Sequence, residues 1–132
     1  VAQQTGDFTQ AKGQEVMESI LKQNDDIDVV YAENDNMAFG AIDAIKADGK
    51  SVGTKDGEIL VVSFDSTRAG LESTLKGEIT LNVECNPLHG PRVKAIIDQL
   101  EKGETPEKKA YVDELVFDAL TITQEVIDAR AY

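Results

Sequence analysis

Polar side chains and one aromatic ring recur at the points where predicted β-strands end. Because the carboxyl ends of parallel strands meet at one edge of a sheet, residues at these positions are expected to converge on a single crevice. Carboxylates accept hydrogen bonds through two oxygens and amides both donate and accept, so these groups suit the neighbouring hydroxyls of a sugar. An aromatic ring covers the apolar C–H face of such a ligand. The candidates, in chain order, are Asp7, Phe8, Glu33, Asn34, Asp35, Asp65, Glu84, Cys85 and Asn86.

Each of these residues also has an ordinary structural interpretation. Asn34 and Asp35 directly precede a predicted helix, where Asn and Asp are common N-caps. Capping is the better explanation for Asp35, whereas for Asn34 capping and binding are evenly balanced. Asp65 and the two residues that follow it also precede a helix, and any of the three could cap it. On local pattern alone Phe8 fits a hydrophobic core, and residues 84–86 could simply end a strand.

The sequence has no set of residues typical of catalysis or metal binding. The candidates include no pair arranged as a general acid and a general base. The one histidine, His89, lies in a turn bounded by Pro and Gly, and a lone His rarely makes a metal site. Cys85 has no evident basic neighbour that would activate its thiol. We therefore predict neither an enzyme nor a bound cofactor.

Alternating strand and helix patterns predict an α/β fold with a largely parallel sheet. The clearest helix covers residues 35–47, where apolar residues recur at helical spacing and Gly49 follows as a stop signal. Residues 59–64 are apolar and β-branched, as in a parallel strand buried on both faces. The predicted strands are 1–5, 28–32, 59–64, 79–84 and 111–117, and the predicted helices are 9–22, 35–47, one ending at 77, 91–102 and a short one after Thr121.

Composition limits the fold class and the partners. The 132 residues, 41% of them hydrophobic, suffice for one small domain with its own core. The formal net charge of −12 argues against nucleic acid and against an anionic membrane surface, both of which attract clustered Lys and Arg. The single cysteine excludes an internal disulfide. No apolar run approaches the ~20 residues that span a membrane.

Four stretches of the chain resemble type I periplasmic sugar-binding proteins, the substrate receptors of ABC importers. The run DVVYAENDNMAFGAIDAIKADGK (28–50) is similar to a strand, a ligand loop and a helix of that family. ILVVSFDSTRAGLESTLKGEI (59–79) is similar to the next strand, a ligand aspartate and the following helix. TLNVECNPLHGPRVKAIIDQLEKGE (80–104) is similar to a crossover between lobes, and QQTGDFTQAKG to a further segment. VECNP and VIDARAY most resemble the galactofuranose-binding branch.

The resemblance implies roles for five of the candidate residues. Asn34 and Asp65 match positions that hydrogen-bond sugar hydroxyls, and Phe8 matches an aromatic residue that contacts the sugar ring. Cys85 stands where many members have a glutamine of the hinge, which indicates a sugar other than ribose. Asn86 is our substitute candidate for the polar contact at that point.

The resemblance also implies a parallel-sheet, three-layer α/β/α fold, mostly the C-terminal lobe of a two-lobe protein. Residues 1–84 with 111–132 would form that lobe, and 85–110 would be a crossover and a helix of the otherwise missing N-terminal lobe. The apolar helix face at 93–100 would then lack its sheet, and its exposure costs on the order of 25 cal/mol per Å². We expect this helix to dock on a second copy of the chain, to swap between copies, or to be covered by a longer polypeptide.

For the intact protein, the resemblance implies a receptor that closes on a monosaccharide between hinged lobes and is then recognised by an ABC permease. It would work in the periplasm or outside the cell, lipid-anchored in a Gram-positive bacterium, without nucleic acid. The effector domain of a LacI-type transcriptional regulator shares this fold and is the main alternative, which requires a DNA-binding segment upstream. A response-regulator receiver fits less well, because the acidic pair and lysine that it needs are not evident.

Overall fold

A computed structural model describes all 132 residues, which form five helices and one four-stranded sheet. The elements are α1 (Gln10–Leu21), β1 (Val29–Tyr31), α2 (Asp35–Ala47), β2 (Leu60–Asp65), α3 (Arg68–Leu75), β3 (Leu81–Glu84), α4 (Gly90–Glu101), β4 (Val116–Asp118) and α5 (Gln124–Asp128). None of the helices combines the length and the apolar character needed to cross a bilayer.

The sheet is mostly parallel, which confirms the predicted α/β fold. Its strand order is β1-β2-β3-β4, with β1, β2 and β3 parallel and β4 antiparallel to β3. Crossovers between neighbouring parallel strands are right-handed, so α2 and α3, which connect β1 to β2 and β2 to β3, lie on the same face of the sheet. The carboxyl ends of the three parallel strands consequently lie side by side along one edge.

The helix-covered face of the sheet contains the hydrophobic core. Val30 of β1 and Val61 of β2 are register partners that face α2, whose Ile42 and Ile45 are almost completely buried. Burying a side chain of this size stabilises the fold by about 1.5–3 kcal/mol. A second cluster joins α3, β4 and α5 on the same face, and its members are Leu71, Phe117 and Ile127.

The opposite face of the sheet is apolar and only partly covered. Its side chains alternate with those of the core, and Val29, Tyr31 and Val116 are all more than half exposed. Tyr31 and Phe64 contact each other across β1 and β2, with ring centroids 5.1 Å apart. The chain therefore supplies the sheet and one helical layer of the α/β/α arrangement.

Helix α4 packs its apolar face on no other element of the chain. None of its residues is buried, and the exposed side chains include Val93, Ile96, Ile97 and Leu100. Its only side-chain link to a distant segment is a hydrogen bond from Arg92 Nη2 to the backbone carbonyl of Tyr111, 2.7 Å long. The fold offers no support for the predicted self-association or swap through this face, which stays a prediction that analytical ultracentrifugation would test.

Two predicted strands differ from the structure. Residues 1–5 form no strand, because they make no backbone ladder with β1 and bury none of their side chains. Three of the five are polar, so little apolar burial is available to offset the entropy of ordering them. The strand predicted at 111–117 is observed as Val116–Asp118, because only these three residues pair with β3.

Candidate functional site

Asn34 closes the carboxyl end of β1 and is the N-cap of α2. Its Oδ1 accepts a hydrogen bond from the Met37 backbone N–H at 2.9 Å, and its Nδ2 donates to the Phe8 carbonyl at 3.2 Å. The residue is 7% exposed. Capping is thereby confirmed for Asn34, and the same amide ties α2 to the loop that carries Phe8. One Nδ2–H and one oxygen lone pair are left over for another partner.

Phe8 lies on the surface beside Asn34 and not in the core. Its side chain is 65% exposed, so the structure excludes the alternative of a buried core residue. Asp7 and Phe8 both have left-handed backbone, with φ of 48° and 56°. Such conformations are unfavourable for residues other than glycine and concentrate at functional sites.

The other left-handed pair in the chain lies at the carboxyl end of β2. Asp65 has φ 103° and Ser66 has φ 55°. Ser66 is held by Asn82 of β3, whose Oδ1 accepts from the Ser66 N–H at 3.1 Å and from its Oγ at 3.0 Å. Thr67 is the N-cap of α3, since its Oγ1 accepts from the Gly70 N–H at 3.1 Å. Asp65 is therefore not the cap of this helix.

The Asp65 carboxylate is partly removed from water. Burial raises the pKa of Asp65, and the negative charge of Asp35 raises it further, while a backbone N–H of Asp35 partly offsets both effects. The side chains around it donate no hydrogen bond to this carboxylate. A half-buried acceptor without a side-chain donor is suited to accept hydrogen bonds from the hydroxyls of a ligand.

Asp35 occupies a position that local pattern did not reveal. It is 1% exposed and does not cap α2. Its carboxylate instead accepts hydrogen bonds from Ser63 Oγ at 2.7 Å, Thr67 N at 2.8 Å, Thr67 Oγ1 at 2.7 Å and Asn82 Nδ2 at 2.8 Å. The prediction of a local cap is therefore wrong, because the partners of Asp35 belong to β2, α3 and β3.

Cys85 and Asn86 follow β3 and begin the segment that leads to α4. Cys85 is exposed, and its backbone N–H donates to the Asp65 carbonyl at 3.3 Å. Asn86 is half-buried, and its Oδ1 accepts from the Leu88 N–H at 2.8 Å. Its own N–H donates to Glu114 Oε1 at 3.1 Å, which links the outgoing and returning segments.

The sequence patterns did not predict a cluster around Glu84, because its members are far apart in the chain. The buried Glu84 carboxylate accepts from Leu115 N at 2.9 Å, from Arg130 Nη2 at 2.9 Å and from the Tyr132 hydroxyl. The Arg130 guanidinium lies over the rings of Phe117 and Tyr132, 4.9 and 4.5 Å from their centroids. Burial alone would raise the pKa of Glu84. The hydrogen bonds from Tyr132, Arg130 and the Leu115 N–H, together with the charge of Arg130, outweigh burial, so the pKa lies below its ordinary value.

We expect Tyr132→Phe to lower the free energy of unfolding by about 1.5–3 kcal/mol, because it removes a hydrogen bond to a buried carboxylate. The lowered pKa of Glu84 stabilises the fold above the unfolded-state pKa, and this contribution is lost as the pH falls through the folded-state pKa. Without the hydroxyl the pKa of Glu84 rises, so acid unfolding should begin at higher pH. Urea denaturation from neutral to acidic pH measures both effects.

Tyr111→Phe is the matched control, because this side chain is 83% exposed. It should leave the free energy of unfolding within about 0.5 kcal/mol of the wild type. Equal stability of the Tyr132 and Tyr111 variants would contradict the assigned role of the Glu84 cluster.

The structure brings the main candidates to one edge of the sheet. Phe8 contacts Asn34, and Asp65 contacts Cys85, as their hydrogen bonds show. Asn86 lies one residue further along the outgoing segment. A groove of about 1050 Å³ along β1 includes Phe8 among its lining residues but neither Asn34 nor Asp65. The candidate site is thus an open surface at the strand ends and not an enclosed pocket.

This chain belongs to the periplasmic-binding-protein family. The family described as "periplasmic binding protein domain" matches residues 1–89. Its relatives below are sugar-binding proteins and not enzymes, so the prediction of a non-catalytic protein is confirmed.

Three relatives illustrate the likeness. The galactofuranose-binding protein YtfQ of Escherichia coli is 39% identical over 112 residues, which are 82% of this chain and 34% of the relative. The ribose import binding protein RbsB of Haemophilus influenzae is 35% identical over 114 residues, 86% of this chain and 37% of the relative. A Mycobacterium smegmatis protein solved in complex with β-D-fucofuranose is 41% identical with a TM-score of 0.83, covering 91% of this chain and 38% of that one. This chain thus spans about a third of the length of these proteins.

Proposed function

We propose that this chain is the C-terminal part of the sugar-binding receptor of an ABC importer and that it supplies one side of a monosaccharide site. One observation carries the proposal: Phe8, with its exposed ring, lies beside Asn34 at the end of β1, and the half-buried carboxylate of Asp65 lies at the end of the neighbouring strand β2. The ring covers a C–H face of the sugar, and the amide and carboxylate hydrogen-bond adjacent hydroxyls.

The sugar is a monosaccharide, for which a furanose ring is the first choice to test. Two of the relatives are named for, or contain, a furanose, namely galactofuranose and β-D-fucofuranose, while the third is named for ribose import. A thiol at Cys85 is a weaker hydrogen-bonding group than an amide, so it favours a ligand with a less polar edge at this point. Asn86, whose Nδ2 has donor capacity to spare, contributes the polar contact at this point.

The intact receptor has two lobes, and this chain contributes to both. Residues 1–84 with 111–132 belong to the C-terminal lobe, and 85–110 form a crossover and a helix of the other lobe. Two features support this division. Helix α4 buries no residue against the rest of the chain. The outgoing and returning segments are also joined next to the sheet by two hydrogen bonds between Glu84 and Leu115. The Glu84 N–H donates to the Leu115 carbonyl at 2.8 Å, and the Leu115 N–H donates to the Glu84 carboxylate at 2.9 Å.

The receptor closes around the sugar by rotation about these crossovers, and an ABC permease then recognises the closed state. Its place is the periplasm or the cell exterior, with a lipid anchor in a Gram-positive cell. The relatives do not support the alternative of a LacI-type regulator, because they are named as sugar-binding and sugar-import proteins. A DNA-binding segment upstream would favour that alternative.

We expect the 132-residue chain to bind its sugar only weakly, with a Kd of roughly millimolar or above, because half of the contacts and the enclosure belong to the other lobe. The longer polypeptide that includes the upstream sequence should bind at about micromolar Kd. A thermal-shift screen of furanose and pyranose sugars against the longer polypeptide identifies the ligand. Calorimetry then compares the two lengths of chain.

Micromolar binding by the 132-residue chain would contradict the proposal that this chain supplies only one side of the sugar site. A longer polypeptide that responds to no monosaccharide would contradict the function itself.

A further inference from the structure

We propose that Asp35 is a positioning residue for ligand binding, which holds the Asp65–Ser66 turn in its left-handed conformation through Thr67 and Asn82. The proposal deepens the proposed function and rests on it, because it takes Asp65 as a group that binds the sugar. Asp35 itself is 1% exposed and does not reach the ligand.

The side chain of Asp35 acts only as a hydrogen-bond acceptor. All four of its contacts come from donors, and Thr67 Oγ1 already accepts from the Gly70 N–H, so the Thr67 hydroxyl proton is directed to Asp35. Helix α3 packs tightly over this carboxylate: a Cβ on Gly70 would lie 2.1 Å from Asp35 Oδ2. Each of these four bonds therefore requires an acceptor oxygen at position 35.

Asp35 determines which way the Asn82 amide faces. Nδ2 of Asn82 donates to Asp35 Oδ1 at 2.8 Å, and its Oδ1 therefore points to Ser66, where it accepts from both N–H and Oγ. With the amide reversed, Nδ2 would face the Ser66 N–H as a second donor. The bond between Asn82 and Ser66 hence depends on the acceptor at position 35.

The Asp35 carboxylate also holds Thr67, the residue that follows the Asp65–Ser66 turn. Asp35 Oδ2 accepts from the backbone N–H of Thr67, so Ser66 and Thr67 are both fixed directly after Asp65. Asp65 at φ 103° and Ser66 at φ 55° occupy backbone conformations that are unfavourable for residues other than glycine and persist only where surrounding contacts impose them. Loss of Asp35 therefore releases the residue whose carboxylate faces the ligand.

Asp35 also acts on Asp65 through its charge. Other charged residues on the elements around the turn are Asp43 and Lys46 on α2, Arg68 and Glu72 on α3, and Glu84 on β3, which is paired with Arg130. Arg68 lies 3.7 Å from Asp128, and Arg130 is paired with Glu84 at 2.9 Å. Asp35 has no cationic partner, and its charge adds to burial in raising the pKa of Asp65.

The test compares Asp35→Asn with Asp43→Asn, which removes an exposed carboxylate from the same helix. In the sugar-free 132-residue chain, Asp35→Asn should accelerate amide hydrogen exchange of Ser66 and Thr67 by at least about 10-fold, with little change in β1. In the longer polypeptide it should lower sugar affinity by about 10-fold, the equivalent of one hydrogen bond. Asp43→Asn should change neither.

The pH dependence of affinity separates positioning from a general loss of structure. Removing the Asp35 charge lowers the pKa of Asp65, so the acid limb of the affinity profile should move to lower pH in Asp35→Asn. Reduced affinity with an unmoved acid limb and wild-type exchange at Ser66 and Thr67 would overturn the proposal.

If Asp35→Asn does not fold, Thr67→Val and Thr67→Ser provide the test. Valine removes the hydroxyl that donates to Asp35 and should lower the affinity, whereas serine keeps the hydroxyl and should restore it. Equal affinities of the two variants would overturn the proposal. A wild-type longer polypeptide without sugar affinity would defeat the proposed function instead, and the exchange rates of Ser66 and Thr67 would still decide whether Asp35 fixes the turn.

Discussion

Asp65→Asn is expected to lower the sugar affinity of the longer polypeptide by about 100-fold or more, while raising its free energy of unfolding at neutral pH. Charge-assisted hydrogen bonds to hydroxyls are among the strongest polar contacts, and a 100-fold change corresponds to about 2.8 kcal/mol. Asparagine keeps the size of the side chain and tolerates left-handed backbone. Calorimetry and urea denaturation measure the two effects.

The sign of the stability change follows from the pKa of Asp65. Burial, and then the charge of Asp35, raise that pKa above its unfolded-state value, so the folded state binds the proton more tightly than the unfolded chain does. The ionised carboxylate therefore opposes folding at neutral pH, and this opposition disappears as the pH falls below the unfolded-state pKa. A neutral amide at position 65 removes it at all pH values.

Asp26→Asn, in an exposed loop, is the control and should alter neither affinity nor stability. If the Asp65→Asn variant bound the sugar as tightly as the wild type, Asp65 would not be one of the sugar-binding residues. A variant that loses both affinity and stability would instead indicate a structural role for this carboxylate.

Gly40→Ala is expected to lower the free energy of unfolding by about 3 kcal/mol, at the upper end of what overpacking usually costs. A Cβ at this buried position would lie 2.1 Å from the Gln10 carbonyl oxygen and 2.6 Å from the Gln14 nitrogen, both backbone atoms of α1. Helices α1 and α2 would have to separate. Because Phe8 lies two residues before α1 and its carbonyl accepts a hydrogen bond from Asn34, the sugar affinity of the longer polypeptide should fall as well.

Gly90→Ala is the matched control for this substitution. Gly90 begins α4, and a Cβ there would meet no atom within 4 Å. Alanine also favours helix over glycine, so this variant should be as stable as the wild type. Denaturation curves that coincide for the Gly40 and Gly90 variants would contradict the close packing of α1 on α2.

Local patterns predicted the position of helix α2. The apolar stripe of residues 35–47 matches the observed helix, Asn34 caps its start, and Gly49 takes left-handed φ of 81° just beyond its end. These signals lie within one helical turn of the features that they predict, so a single sequence is sufficient to identify them. The same holds for Thr67, which was among the predicted caps of α3.

Strand predictions were less successful where they depended on a partner. Residues 1–5 have the length of a strand but pair with nothing in the structure. The face with Tyr31 and Phe64 looked buried because its residues are apolar, yet within this chain no helix covers it. Composition reports that a surface is apolar, whereas burial depends on what else packs against it.

The order of elements and the residue types at strand ends were sufficient to predict an α/β fold and to select Asn34 and Asp65 as candidates, because strand ends and caps are local features. Phe8 was selected as the end of a predicted strand that the structure does not contain. Only the tertiary structure revealed that Asp35 is a buried acceptor for three other elements and that Glu84 pairs with Arg130 and Tyr132. These partners lie 28–48 residues apart in the chain. The physical reason is that a hydrogen bond between distant segments exists only after packing has brought them together, and no periodicity along the chain encodes it.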